Sequence, residues 1–114
     1  MKKVFLLLML VSVSIANADV NTGLACYRSG DYSCALKEFK MAADQGDAAA
    51  QYNVGLMYAE GLGVKQDYAE TMKWYRMAAD QGHAAAQYNV GLMYAEGLGV
   101  KQDYAETMKW YRMA

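Results

Sequence analysis

The sequence predicts an all-α, right-handed solenoid of antiparallel helix pairs, about three pairs following a signal peptide. Three observations carry that prediction. Residues 42–77 recur as residues 78–113 with one difference, Asp47 against His83, so 35 of 36 positions match. Within each copy the apolar residues follow helical spacing, and no segment alternates with period two. The chain of 114 residues contains no proline and is 55% hydrophobic, which excludes disordered and low-complexity classes. One helix pair cannot bury its own apolar face, whereas stacked pairs can, and that is the physics of an α-solenoid.

The elements follow in chain order. Lys2 and Lys3 precede an apolar core from Val4 to Ile15, broken only by Ser12 and Ser14. Ala16-Asn17-Ala18 then place small residues at the positions a signal peptidase reads, so residues 1–18 read as a secretory signal peptide. The alternative is an uncleaved anchor, but the run is short of the roughly 20 residues a comfortable span needs. A lipoprotein is excluded, because Gly23-Leu24-Ala25 before Cys26 is the wrong order for a lipobox. Cleavage removes Lys2 and Lys3, so eleven basic residues become nine against twelve acidic, a mature charge of −3. The expected product is exported, periplasmic or extracellular, and not inserted in a membrane.

A diverged unit spans 19–43, and full units span 44–79 and 80–114. Gly23-Leu24 aligns with Gly55-Leu56, and the spacing from Gly23 to Gly55 is 32 residues against 36 from Gly55 to Gly91. The first unit therefore lacks four residues from the connection after Gly-Leu. In a full unit, helix A runs from about Asp47 to Glu60, with Gln51, Val54, Gly55 and Tyr58 on one stripe. Gly61-Leu62-Gly63-Val64 stops it. Helix B starts at Asp67, an N-cap, with Glu70 completing a capping-box pattern. Tyr68, Thr71, Met72, Tyr75, Ala78 and Ala79 form its buried face; Glu70, Lys73 and Arg76 form its solvated one. Gly46 and Gly82 end helix B of successive units. Gly55 costs about 1 kcal/mol against alanine in mid-helix, which predicts a close approach of helix A to helix B. Trp74 and Trp110 flank the buried stripe and pack between units. Most tyrosines and methionines repeat at helical spacing and read as core. The chain stops at Met113-Ala114 inside helix B, so apolar surface around Trp110 and Tyr111 is expected to be exposed. A truncated sequence, end-to-end self-association and a partner over that end are the competing explanations.

The chemistry is limited. A net charge of −1 gives no pull toward nucleic acid. One histidine and two cysteines exclude a zinc finger or an iron–sulfur cluster, and no metal or cofactor is expected. Cys26 and Cys34 lie four residues either side of Gly30, opposite each other in an antiparallel pair, which predicts a disulfide stabilising by about 2–3 kcal/mol. The alternative of a redox or metal-binding pair lacks a C-x-x-C motif. His83 replaces Asp47 at the start of helix A and reads as a variant cap. Ser29 and Ser33 stand in neither S-x-x-K nor G-x-S-x-G, so no nucleophile is recognisable.

The pattern A-A-x-x-G-x-A-x-A-Q-Y-x-x-G-x-M-Y-x-x-G-x-G-V-x-x-D resembles the Sel-one-like repeat family, a relative of the tetratricopeptide repeats. The resemblance covers 42–113, and 20–41 in a shorter, tetratricopeptide-like form. Thr71 and Thr107 replace the family's usual alanine, and Met77 and Met113 stand where lysine is common. The resemblance implies a non-catalytic scaffold that holds protein partners, with helix A lining a concave groove for an extended peptide. On a helical wheel, Asn53, Leu56 and Glu60 fall away from Val54 and Tyr58, with Tyr52 at the edge of the set. Asn89, Leu92, Glu96 and Tyr88 repeat it, and Ala49 and Ala85 extend it. These are the candidate binding residues: asparagine reaches a peptide backbone, leucine and tyrosine its side chains. Two other functions remain open. Cysteine-rich relatives are described as penicillin-binding or β-lactamase proteins, which makes a cell-envelope hydrolase one alternative. A structural spacer is the other.

Overall fold

The computed structural model describes residues 20–114. The predicted signal peptide lies outside the described residues. Six helices run in sequence, with no strand among the described residues: α1 (20–29), α2 (Tyr32–Asp44), α3 (Ala48–Glu60), α4 (Tyr68–Asp80), α5 (Ala84–Glu96) and α6 (Tyr104–Met113). α1, α3 and α5 are the A helices; α2, α4 and α6 are the B helices. Each packs on its successor, giving a solenoid of three helix pairs. None is long and apolar enough to cross a membrane.

Local signals set the helix ends. Asp47 holds extended backbone angles, and its Oδ1 accepts from the Ala50 N–H at 2.9 Å. Asp31 caps α2 by accepting from the Cys34 N–H, and Asp67 caps α4 by accepting from Ala69 and Glu70. The reciprocal half of the predicted capping box does not form. The Asp67 N–H is donated instead to the Tyr58 carbonyl at 2.9 Å, which ties the connecting loop to the end of α3. At the other end of α2, Gly46 takes φ +96°, and the Asp47 and Gly46 N–H groups donate back to Ala42 and Ala43. That is a Schellman motif, which needs the left-handed residue a glycine supplies. The first pair is joined by residues 30–31 alone, where the second uses 61–67. The connection loses five residues and α1 gains one, which accounts for the four-residue deficit.

The apolar cores lie at the junctions between pairs. The first combines Ala35, Leu36 and Phe39 of α2 with Ala50, Val54 and Met57 of α3, and Trp74 of α4 closes it. The second combines Met72 and Tyr75 of α4 with Ala86, Val90 and Met93 of α5, closed by Trp110 of α6. Each B-helix tryptophan therefore reaches back onto the preceding pair. This corrects the expectation for the last unit. Trp110 is only 5% exposed and Tyr111 is half-buried, whereas Tyr104 is 66% and Met108 52% exposed. The residues facing forward are those that correspond to Tyr68 and Met72, not the tryptophan. Two smaller corrections follow from the same packing. Met57 and Ala50 join the helix-A stripe, while Tyr58 sits half-buried with its hydroxyl accepting from Lys40 Nζ at 2.9 Å. Met41, Met77 and Met113 are exposed rather than core.

Gly55 meets the predicted contact. A Cβ there would lie 2.6 Å from Tyr75 Cδ1 and 3.3 Å from the Thr71 carbonyl oxygen. Thr71, where the family prefers alanine, is buried with its hydroxyl donating to the Asp67 carbonyl. Polar groups stitch the pairs together as well. Gln51 donates to the Ala43 carbonyl at 3.2 Å and accepts from Gln81 at 2.8 Å.

Candidate functional site

The A helices share one side of the molecule, and two hollows open where successive A helices meet over a B helix. The first, about 140 Å³, is lined by Leu24 and Tyr27 of α1, Phe39 of α2, and Asn53 and Leu56 of α3. The second, about 160 Å³, is lined among others by Ala59 of α3, Tyr75 of α4, and Asn89 and Leu92 of α5. These are the same site one repeat apart. Leu24 corresponds to Leu56, Tyr27 to Ala59, and Phe39 to Tyr75 in the repeat register.

The predicted residues thus divide. Asn53 and Leu56 meet in the first hollow, and Asn89 and Leu92 in the second; all four are half-buried. Glu60 and Glu96 are exposed at the C-terminal ends of α3 and α5. Ala49 and Ala85 are exposed and line neither hollow. Tyr52 and Tyr88, alike in sequence, differ in setting. Tyr52 stacks on Tyr75 at 5.2 Å on one side and on His83 at 5.0 Å on the other, and its hydroxyl accepts from Asn89 Nδ2 at 3.3 Å. Tyr88 stacks on Tyr111 alone and remains 51% exposed.

His83 is more than a variant cap. Its Nδ1 accepts from the Ala86 N–H at 3.2 Å, while its ring covers Tyr52. The position in the first pair that corresponds to Tyr52 is Val20, which offers Asp47 no ring. The single substitution between the two copies thus falls where the preceding unit differs. Burial pushes the Tyr75 phenol above its ordinary range, helped by Tyr52 and opposed by its hydrogen bond with Asn89, so it stands protonated under the second hollow.

Wheel geometry on helix A missed the other walls, Leu24, Tyr27, Phe39 and Tyr75. Aligning α1 with α3 and α5 finds Leu24. The aromatic floors come from the B helices and need the packed pair.

Cys26 of α1 and Cys34 of α2 form a disulfide, with Cα atoms 5.8 Å apart. It fastens the wall that carries Leu24 and Tyr27 to the rest of the first pair.

Comparison with known proteins agrees with the architecture. The family model of the Sel1 repeat matches residues 29–47, 48–83 and 84–114. DAP3-binding cell death enhancer 1 of Rattus norvegicus is 41% identical over 58 residues, 51% of this chain and 11% of that protein. The Mus musculus protein of the same name is 40% identical over 58 residues, with the same coverage. The chain thus spans about a tenth of the curated relatives it matches. Among solved structures, a Sel1 repeat protein from Oxalobacter formigenes superposes with a TM-score of 0.77 at 38% identity, over 84% of this chain and 38% of that one. A protective antigen present in uropathogenic Escherichia coli strains, displaying an SLR fold, gives 0.81 at 42% identity, over 86% of this chain and 22% of that one.

Proposed function

The chain belongs to the Sel1 repeat family, whose repeats are generally non-catalytic protein-interaction modules, and from that premise we propose that it binds a protein or extended peptide through the face formed by α1, α3 and α5. The observation that carries the reading is the repetition of one hollow at both junctions, each with an asparagine and a leucine from the following A helix. A surface that only sets the length of a spacer has no need of matched concavities. Pockets of this kind, apolar with a few polar groups, are where ligands bury side chains. The rodent relatives are named for binding DAP3, a statement about those proteins that is compatible with partner binding here.

The proposed setting is the bacterial cell envelope, most simply the periplasm. Residues 1–18 support it as a signal peptide, and the Cys26–Cys34 disulfide is of the kind that persists in oxidising compartments.

The test is in-cell crosslinking from the envelope fraction with three forms of the full chain: native, Asn53→Ala with Asn89→Ala, and Lys73→Ala with Arg76→Ala. Circular dichroism checks that all three remain helical. A partner captured by the native form and the B-helix variant, but not by the asparagine variant, supports the helix-A face. Equal capture by all three, or loss only in the B-helix variant, removes it.

A further inference from the structure

We infer that the helix-A face accepts an extended segment of polyproline-II form, with apolar side chains three residues apart and basic side chains along one edge; this rests on the helix-A face being the binding face. Spacing is the first ground. The two hollows are one site repeated, and helices packed side by side lie about 8–10 Å apart. A polyproline-II chain rises about 3.1 Å per residue with three residues per turn, so it returns a side chain to the same face every ~9 Å. A β-strand returns one every ~7 Å and falls out of register with the hollows. The polyproline-II backbone also makes no internal hydrogen bonds. Its free carbonyl and N–H groups suit the Asn53 and Asn89 amides at the two hollows.

Charge is the second ground. α3 and α5 contain one charged residue each, Glu60 and Glu96, both exposed, and neither helix contains lysine or arginine. Each glutamate closes its helix, where the macrodipole is already negative. Glu60 lies close enough to act on the Tyr75 phenol that lines the second hollow. At the corresponding position of α1 stands Arg28, also exposed. The edge beside the hollows therefore runs positive, negative, negative across the three pairs. A complementary segment is acidic over α1 and basic over α3 and α5.

The experiment is fluorescence anisotropy with three labelled, proline-rich synthetic peptides on the native protein. One has two leucines three residues apart with two lysines beside them. The second carries glutamates in place of the lysines. The third keeps the lysines and sets the leucines two residues apart. The first is expected to bind about five- to tenfold tighter than either other. Its preference over the glutamate peptide should vanish in the Glu60→Gln, Glu96→Gln double variant and shrink as salt is raised. Equal binding of the lysine and glutamate peptides overturns the charge assignment, and equal binding of the two leucine spacings overturns the polyproline-II geometry. Both of those results leave the helix-A face standing. Failure of all three peptides to bind overturns the proposed occupant, while the crosslinking comparison decides the face independently.

Discussion

Replacing Gly55 with alanine sets two effects of opposite sign against each other. Alanine is the better helix former by about 1 kcal/mol in mid-helix, so an unobstructed site would be stabilised. The added Cβ, however, would sit 2.6 and 2.7 Å from Tyr75 Cδ1 and Cε1. Carbon atoms settle at about 3.5–4.0 Å, so roughly 1 Å of overlap must be relieved. Tyr75 has no room to give: it is only 4% exposed and stacked on Tyr52, which His83 covers from the far side. The Thr71 carbonyl at 3.3 Å closes the other direction. Overpacking of this kind costs about 1–3 kcal/mol and, with no soft neighbour, belongs at the upper end. The expected net loss is about 1–2 kcal/mol, a fall in melting temperature of roughly 5–15 °C for a domain of this size. Gly91→Ala is the decisive comparison, because its local sequence is identical. Its Cβ would lie 2.7 Å from Tyr111, but that ring is half-buried and backed only by the exposed Tyr88, so it can tilt away. Urea denaturation followed by circular dichroism reads both variants. A Gly91→Ala cost equal to or larger than that of Gly55→Ala, or a stabilised Gly55→Ala, refutes the reasoning.

Two further predictions concern the first pair and the second core. Reducing the Cys26–Cys34 disulfide, or replacing both cysteines with serine, should lower stability by about 2–3 kcal/mol; calorimetry with and without reductant should show the native protein responding and the serine variant indifferent. Burial raises the Tyr75 phenol above its ordinary value of 10.0, so the unfolded chain releases that proton first. Stability from this group is complete below pH 10 and is lost as pH rises toward the folded-state value. Thermal melts at stepped alkaline pH should fall more steeply for the native protein than for Tyr75→Phe.

The sequence by itself determined the repeat, the helix pairs, their ends and the pairing of the cysteines. These features are legible because their causes are local. Asp47 and Asp67 cap N–H groups two or three residues away, Gly46 turns the chain at its own position, and Cys26 and Cys34 face each other across a two-residue turn. The asparagines and leucines of the hollows were legible too, since they fall on the helix-A side away from the core. What only the tertiary structure decided is how identical residues come to differ. Tyr52 and Tyr88 share every near neighbour in the chain, yet one is sandwiched between rings and the other is half in solvent. Met72 is buried and Met108 exposed. Both tryptophans reach back rather than forward, and the aromatic floors of the hollows come from B helices. A capping signal acts through a few bonds and repeats whenever its residues repeat. Burial depends on the adjacent pair, and two copies of one repeat do not have the same neighbours.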